Sequence, residues 1–320
     1  MIICIGAFDG YHIGHQSLFK KAEEMSLAKG GEWRILTFHP HPRSVVGTTR
    51  SLLFLGEDKR ALRKLFGIPQ PIQVSFTLET ANTEPYDFLE EVRAQLDIDG
   101  IVVGKNFRFG RKRSGDEAFL RNYCSTTGIE LVVMPSKITP DGLTISSTRA
   151  REMVRNGDVA QAINLLSYPY FIKSEVIHGK GRGHKLGYPT ANVITDEMKL
   201  VPHEGVYAGA MIIEGTPYPA AISVGKNPTF NDNLESPKIE AHAIGYSGKL
   251  YTEHPIVAFL NYMRPMIKFD SEYDLAKQLK VDCACAREIY DTNMDIVMSL
   301  VLPRNLCTDP QLANSLELPV

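Results

Sequence analysis

"IICIGAFDGYHIGHQSLFKKAEEMSLAKG", Ile2 to Gly30, joins three textures in one short stretch. IICIGAF is a β-rich apolar run and GAFDGYHIGH a turn. Leu18, Ala22 and Met25 then repeat at helical spacing until Gly30 closes the pattern. The stretch reads strand, turn, helix. The same unit recurs along the first half of the chain. Further β-rich runs are WRILTF from Trp33, PIQVSF from Pro71, GIVVG from Gly100 and IELVVMP from Ile129. Between them Leu62, Leu65 and Phe66 stripe a helix closed by Gly67, and Leu89, Val92 and Leu96 mark another. Five strand-then-helix units predict a mostly parallel sheet covered on both faces, with ligands bound at the carboxyl ends of its strands.

The texture changes after "LLSYPYF", Leu165 to Phe171. From Phe171 to about Arg264 the apolar runs have period two, as in Ile239, Ala241 and Ala243, and Gly, Pro and Asn turns separate them without intervening helices. That pattern predicts a small antiparallel barrel. A helix follows, which Asp270 or Ser271 can cap and to which Leu275, Leu279 and Val281 give an apolar side. The expected domains are residues 1–166, residues 168–305 and a weakly periodic tail, 306–320, expected to be poorly ordered.

A chain of 320 residues is long enough for two domains, each with its own core. With 43% hydrophobic and 22% charged residues it reads as a globular protein. A formal charge of −2 gives no general attraction to nucleic acid or an anionic membrane, so any polyanion site must be built locally. No apolar run reaches the roughly 18 residues needed to span a bilayer. The opening MIICIGAF carries no basic leader, so a cytoplasmic protein is expected. Cys4, Cys124, Cys283, Cys285 and Cys307 show no ladder of spacings, which argues against a disulfide framework and for buried or idle thiols.

GAFDGYHIGH stands where the first strand turns into the first helix, a place where free N–H groups and the helix dipole favour a phosphate. Gly14 lets the main chain approach it closely. His12 and His15 can donate hydrogen bonds to oxygens that gain charge as phosphorus is attacked. The rival readings are a zinc pair, for which no partner Cys cluster follows, and ordinary packed or solvated histidines. "GLTISSTRARE", Gly142 to Glu152, puts Ser146, Ser147 and Thr148 at the start of another helix, with Arg149 and Arg151 in its first turns. Arginines there are unfavourable unless an anion is bound, which argues for polyphosphate contact. "VGKNFRFGRKRSGD", Val103 to Asp116, adds Lys105, Asn106, Arg108, Arg111, Lys112 and Arg113, a charge run that taken alone reads as a solvated loop more readily than as a binding site.

The ordered set "FDGYHIGH", "TFHPHPR", "VGKNFRFG" and "ISSTRAR" resembles the adenylyltransferase half of the prokaryotic bifunctional riboflavin kinase/FMN adenylyltransferase (FAD synthetase) family. The resemblance implies catalytic roles for His12 and His15. It implies ATP contacts for Gly6, Phe8, Asp9, Gly14, Ser147, Thr148 and Arg151, and flavin contacts for Asn106 and Phe107, with the nucleotide as the alternative neighbour of Asn106. Ala7 departs from the Asn often found there, which bears on local packing.

"HGKGRGHKLGYPTANV", His178 to Val193, is glycine-rich enough for main-chain amides to cradle phosphates, while Lys180 and Arg182 supply charge. Thr190 and Asn192, two apart, share a face if the chain is extended there and offer neutral oxygens that suit Mg2+ or a phosphate; a plain β-turn is the alternative. Glu240 alternates with Ile239 and Ala241, so by period alone it faces solvent. Transfer of a γ-phosphate to an alcohol nevertheless needs an acceptor for the hydroxyl proton, and a carboxylate is the usual one. "GRGHKLGYPTAN", "GVYAG", "VGKNPTF" and "IEAHAIGYSGKLY" resemble the riboflavin kinase module of the same family. That likeness implies Glu240 as the base, Gly179, Gly181, Gly183, Thr190 and Asn192 around ATP, and Thr190 and Asn192 as the Mg2+ ligands. Thr252 departs from the Gly common after "LY".

Together the resemblances imply a Rossmann-like α/β nucleotidyltransferase domain, then a small antiparallel β-barrel kinase domain with a C-terminal helix. The implied function is phosphorylation of riboflavin to FMN by ATP, then adenylyl transfer from ATP to FMN, giving FAD and pyrophosphate. The expected partners are small molecules, neither nucleic acid nor membrane, with homo-oligomerisation open. The alternatives are a nucleotidyltransferase for another substrate and a non-catalytic flavin-binding regulator.

Overall fold

A computed structural model describes residues 1–47, 51–177, 186–226, 237–250 and 253–304. Two compact units are present. The first comprises Met1–Ser51, Phe66–Ser146 and Arg304, the second Leu52–Leu65 and Ser147–Pro303.

In the first unit β1 (Ile2–Ile5), β2 (Trp33–His39), β3 (Ile72–Ser75), β4 (Gly100–Gly104) and β5 (Glu130–Met134) form a parallel sheet in the order β3-β2-β1-β4-β5. The five strands are those the apolar runs predict. β1 pairs on both sides, Ile2 with Trp33 and with Gly100, and all four of its residues are buried. A strand buried on both faces must be apolar throughout, which is why IICI does not alternate. Helix α1 (Ile13–Ala28) lies on β1 and β4, burying Leu18, Phe19, Ala22 and Met25, and Gly30 takes a φ of +63° just past its end. After α2 (Pro42–Val46) and α3 (Gly56–Leu65) come α4 (Pro85–Gln95) and α5 (Glu117–Thr127), whose Leu89, Val92, Leu120 and Tyr123 share a core with Ile3, Ile5, Ile101 and Val103. Each such side chain contributes roughly 1.5–3 kcal/mol on leaving water.

The second unit contains α3, α6 (Ser147–Asn156), α7 (Val159–Leu166) and an antiparallel sheet of β6 (Tyr170–Lys173), β7 (Val176–Ile177), β8 (Ala191–Val193), β9 (Gly205–Ile213), β10 (Thr216–Lys226), β11 (Pro237–Ala243) and β12 (Ile256–Arg264). The pairing order is β6-β12-β9-β10-β11-β8-β7. The two outermost strands, β6 and β7, are joined by Ser174 and Glu175 alone. So short a link reaches only about 10 Å. The sheet must therefore curl until its edges approach, and the Val176 N–H donates to the Glu253 carbonyl at 3.0 Å across that closing edge. The predicted barrel is present as this curled half-barrel. At Gly209 a β-carbon would sit 2.1 Å from the Ala258 carbonyl oxygen, so only glycine allows β9 and β12 to come this close.

Helices α8 (Glu272–Thr292) and α9 (Met294–Met298) follow, and Ser271 caps α8 by accepting from the Asp274 N–H at 3.1 Å. One expectation fails. Val281 is 56% exposed, and the buried positions of α8 are Asp282, Ala286 and Tyr290. Residue 281 lies about 100° around the helix from 282. The inward place belongs to a carboxylate that apolar periodicity cannot see, because Arg264 satisfies it through two hydrogen bonds of 2.9 and 2.6 Å.

Segment 52–65 belongs to the second unit through a buried ion pair. Lys199 Nζ lies 2.8 Å from Asp58 Oδ2 and donates to the carbonyls of Leu53 at 2.7 Å and Phe171 at 3.0 Å. Asp58 accepts further from the N–H groups of Leu55 at 3.0 Å and Lys173 at 2.7 Å. Both charges are fully hydrogen-bonded, the condition for burying them at all. Lys199→Met leaves Asp58 charged, buried and held by two amides only. It is expected to cost about 3 kcal/mol, read as a fall in the urea midpoint of the second unit's transition at unchanged m.

Burial raises the thiols of Cys124 and Cys283 to about 11 and that of Cys4 further. Such thiols are inert at neutral pH, as the composition suggests. Cys307, Thr252 and the tail from 306 lie outside the described residues. Among the described residues no helix is long and apolar enough to cross a membrane.

Candidate active sites

β1 ends at Ile5 and α1 begins at Ile13, so Gly6–His12 form the turn at the carboxyl edge of the sheet. The turn is strained. Phe8 and Tyr11 hold φ of +47° and +34°, a conformation that costs about 1–3 kcal/mol per non-glycine residue and persists only where surroundings impose it. Here they do. The Gln16 side-chain amide donates to the Tyr11 carbonyl at 2.6 Å, and the Phe8 ring packs edge-on against His15 and Phe19. The Phe8 ring also lies over Gly6, where a β-carbon would come within 2.7 Å of it. Asp9 is buried in the same turn.

His12 caps α1. Its Nδ1 accepts from the His15 N–H at 3.3 Å, which leaves the proton on Nε2 as the ring's donor. The His12 and His15 rings stack with centroids 3.6 Å apart and planes 19° from parallel. At Gly14 a β-carbon would meet the His12 ring at 3.1 Å, so any larger residue there would push that ring by a few tenths of an ångström.

Cys4 pairs with Val102, so the chain leaving β1 at Gly6 is level with the chain leaving β4 at Gly104. Asn106 and Phe107 follow at once. Asn106 is exposed and donates to Ser136 Oγ at 3.0 Å, while Phe107 stacks on Phe109 with centroids 5.4 Å apart. One sheet edge thus carries the turn, both histidines, Asn106 and Phe107. The basic residues after them are exposed, and Arg111 pairs with Glu84 at 3.0 Å, as a solvated loop would. A feature that the sequence reading did not draw out is His41, which caps α2 by accepting from the Arg43 N–H at 3.1 Å, as His12 caps α1.

Ser147 and Thr148 begin α6 in the second unit. Arg151 is buried and donates to Thr148 Oγ1 at 3.2 Å, a guanidinium at the helix end where the dipole disfavours it. Gly179, Gly181 and Gly183, with Lys180 and Arg182, lie outside the described residues.

In the half-barrel the register places Ser223, Glu240 and Asn192 side by side across β10, β11 and β8. Directly opposed residues of antiparallel strands share a face. Thr190, two residues from Asn192, is half-buried, and Asn192 is 6% exposed. The Glu240 side chain keeps 32% exposure and is ion-paired to Lys238. It is half-buried, more enclosed than its period alone implies. Neither Lys238 nor Ser223 stood out in the sequence, because cross-strand register is invisible there.

A family model described as FAD synthetase matches residues 1–149, and one described as riboflavin kinase matches residues 166–290. Bifunctional riboflavin kinase/FMN adenylyltransferases from Listeria monocytogenes and Bacillus subtilis are each 32% identical to this chain, over 88% of it and 90% of theirs. A solved structure titled macrolide-efflux protein from Streptococcus pneumoniae superposes with a TM-score of 0.80 at 29% identity, covering 89% of this chain and 93% of that one. The parallel-sheet unit and the half-barrel each answer to one of the two enzyme models. The chain therefore belongs to the bifunctional riboflavin kinase/FMN adenylyltransferase family, enzymes that phosphorylate riboflavin with ATP and transfer adenylyl from ATP to FMN.

Proposed function

We propose that His12 and His15 act in adenylyl transfer and Glu240 in the kinase step, within domains spanning residues 1–166 and 168–305. The capped Nδ1 of His12 is the observation that carries the first assignment. A capped Nδ1 leaves Nε2 to donate, which supports a donor already oriented as charge develops on the α-phosphate. FMN's phosphate is anionic at neutral pH and needs no base, only positioning against the α-phosphorus. Gly6, Phe8, Asp9 and Gly14 shape the turn for ATP. Ser147, Thr148 and Arg151 supply hydroxyls and a guanidinium to its phosphates, and Asn106 and Phe107 take the flavin.

In the kinase step Thr190 and Asn192 hold Mg2+ and the ATP phosphates, with Gly179, Gly181 and Gly183 cradling the nucleotide. The neutral oxygen of Asn192, level with Glu240, and that of Thr190 two residues away suit a cation that keeps waters and takes most of its remaining ligands from phosphates. Bound there, Mg2+ neutralises charge on the phosphates. Glu240 takes the proton of the ribityl hydroxyl, a nucleophile too weak without that help. Both steps run in the cytoplasm on small-molecule substrates. Incubation of the enzyme with riboflavin, ATP and Mg2+, followed by chromatography, is expected to show FMN first and FAD after it. EDTA in excess should stop FMN formation, and FMN formed at an undiminished rate in EDTA would refute the metal assignment.

A further inference from the structure

Among the described residues the carboxylate proposed as the kinase base is ion-paired to one side chain, Lys238, and that neighbour is placed to act through it. Lys238 and Glu240 are two apart on β11, so both project from one face, and the ammonium contacts Glu240 Oε1. Among the described residues no other side chain is hydrogen-bonded to that carboxylate. The pair is half-buried, at 34% and 32% side-chain exposure, and Glu240 stands between the half-buried Ser223 and the buried Asn192. A purely solvated ion pair is worth roughly 0–1 kcal/mol and can be removed almost silently. A pair aimed at a polyphosphate is different, because its charges are needed at successive moments.

We propose that Lys238 is a positioning residue of the kinase reaction, holding the Glu240 carboxylate toward the ribityl hydroxyl and then facing the transferred phosphoryl group. The inference rests on Glu240 being the base. In the step the hydroxyl O–H bond breaks and its proton passes to Glu240. The oxygen forms a bond to the γ-phosphorus, and the bond from that phosphorus to the β-bridging oxygen breaks, its electron pair leaving with ADP. Before transfer the ammonium offsets repulsion between the carboxylate and the ATP phosphates. After transfer the carboxyl is neutral, and the same ammonium is left to balance charge on the new phosphate ester. No other movement of charge is required. Sequence alone could not show this, since a Lys two residues from a Glu in a strand is common on solvated faces.

The test uses the full-length enzyme with riboflavin, ATP and Mg2+, comparing Lys238→Met, Lys238→Arg, Glu240→Gln and the double variant Lys238→Met/Glu240→Gln. Lys238→Met should lower the kinase kcat about 10- to 30-fold with the riboflavin KM within about threefold, the mark of lost orientation rather than lost binding. Lys238→Arg should recover most of the rate. In the double variant Lys238→Met should add less than about twofold to the loss from Glu240→Gln, because a residue acting through another is silent once that one is gone. A wild-type kcat for Lys238→Met beside a slow Glu240→Gln overturns the proposal and leaves the base assignment standing. Losses that multiply in the double variant also overturn it, by showing that Lys238 acts on its own. A fully active Glu240→Gln removes the base assignment, and the proposal with it. If Lys238→Met unfolds, Lys238→Gln, which keeps a hydrogen-bond donor and loses the charge, takes its place with the same expectations.

Discussion

His15→Ala is expected to lower FAD formation from FMN and ATP by about 10²- to 10³-fold, the usual cost of removing one preorganised donor from a developing oxyanion. FMN should continue to accumulate from riboflavin, since the kinase chemistry belongs to the other unit. His15 is a better probe than His12. Replacing His12 removes both a donor and the cap of α1, mixing a catalytic loss with about 0.5–2 kcal/mol of helix stability. The cap of α1 is His12, not His15. The His15 ring stacks on His12 and meets Phe8 edge-on, so its loss loosens the donor pair without ending the helix. His15→Asn, which returns a donor at shorter reach, should recover part of the rate. The measurement is initial FAD production with FMN supplied, beside the thermal midpoint of each variant. FAD output at the wild-type level in His15→Ala would remove the histidine from the reaction.

The parallel sheet was legible because each strand is a short apolar run followed by a helical stripe and a glycine. IICI, buried on both faces of β1, leaves no other reading once Leu18, Ala22 and Met25 follow it. The turn holding His12 and His15 was equally legible, since a strand-to-helix junction dictates where amides and dipoles point. Long-range pairing was not. Nothing in "LFLGEDKR" tells that Asp58 is buried against Lys199, 141 residues away, because a charged residue carries no periodic signal for burial. The same blindness misassigned Val281. Hydrophobicity marks which residues prefer the interior, whereas Asp282 reaches it through Arg264, and the partner of a buried carboxylate comes from folding rather than from neighbours in sequence. The Ser223, Glu240, Asn192 row belongs to the same class. It follows from register, which three separate strand patterns cannot specify.

Glu240→Gln is expected to lower FMN formation by about 10²- to 10⁴-fold, the usual contribution of a positioned general base. That corresponds to about 3–5 kcal/mol of barrier. The argument turns on what glutamine keeps. It is nearly isosteric, it can still accept a hydrogen bond from Lys238, and it stays between Asn192 and Ser223 on the same face of the sheet. It cannot take a proton from the ribityl hydroxyl. Fold stability should therefore change by less than about 1 kcal/mol, the most that a half-exposed ion pair contributes. FAD synthesis from supplied FMN should persist, because an anionic phosphate attacks there and no base is required. Both activities should be followed in one preparation, so that misfolding, which would lower them together, is distinguished from lost chemistry, which lowers one. Full kinase activity in Glu240→Gln would return Glu240 to the status of a strand residue paired with a lysine. The acceptor of the hydroxyl proton would then have to be sought outside the row on which Glu240 stands.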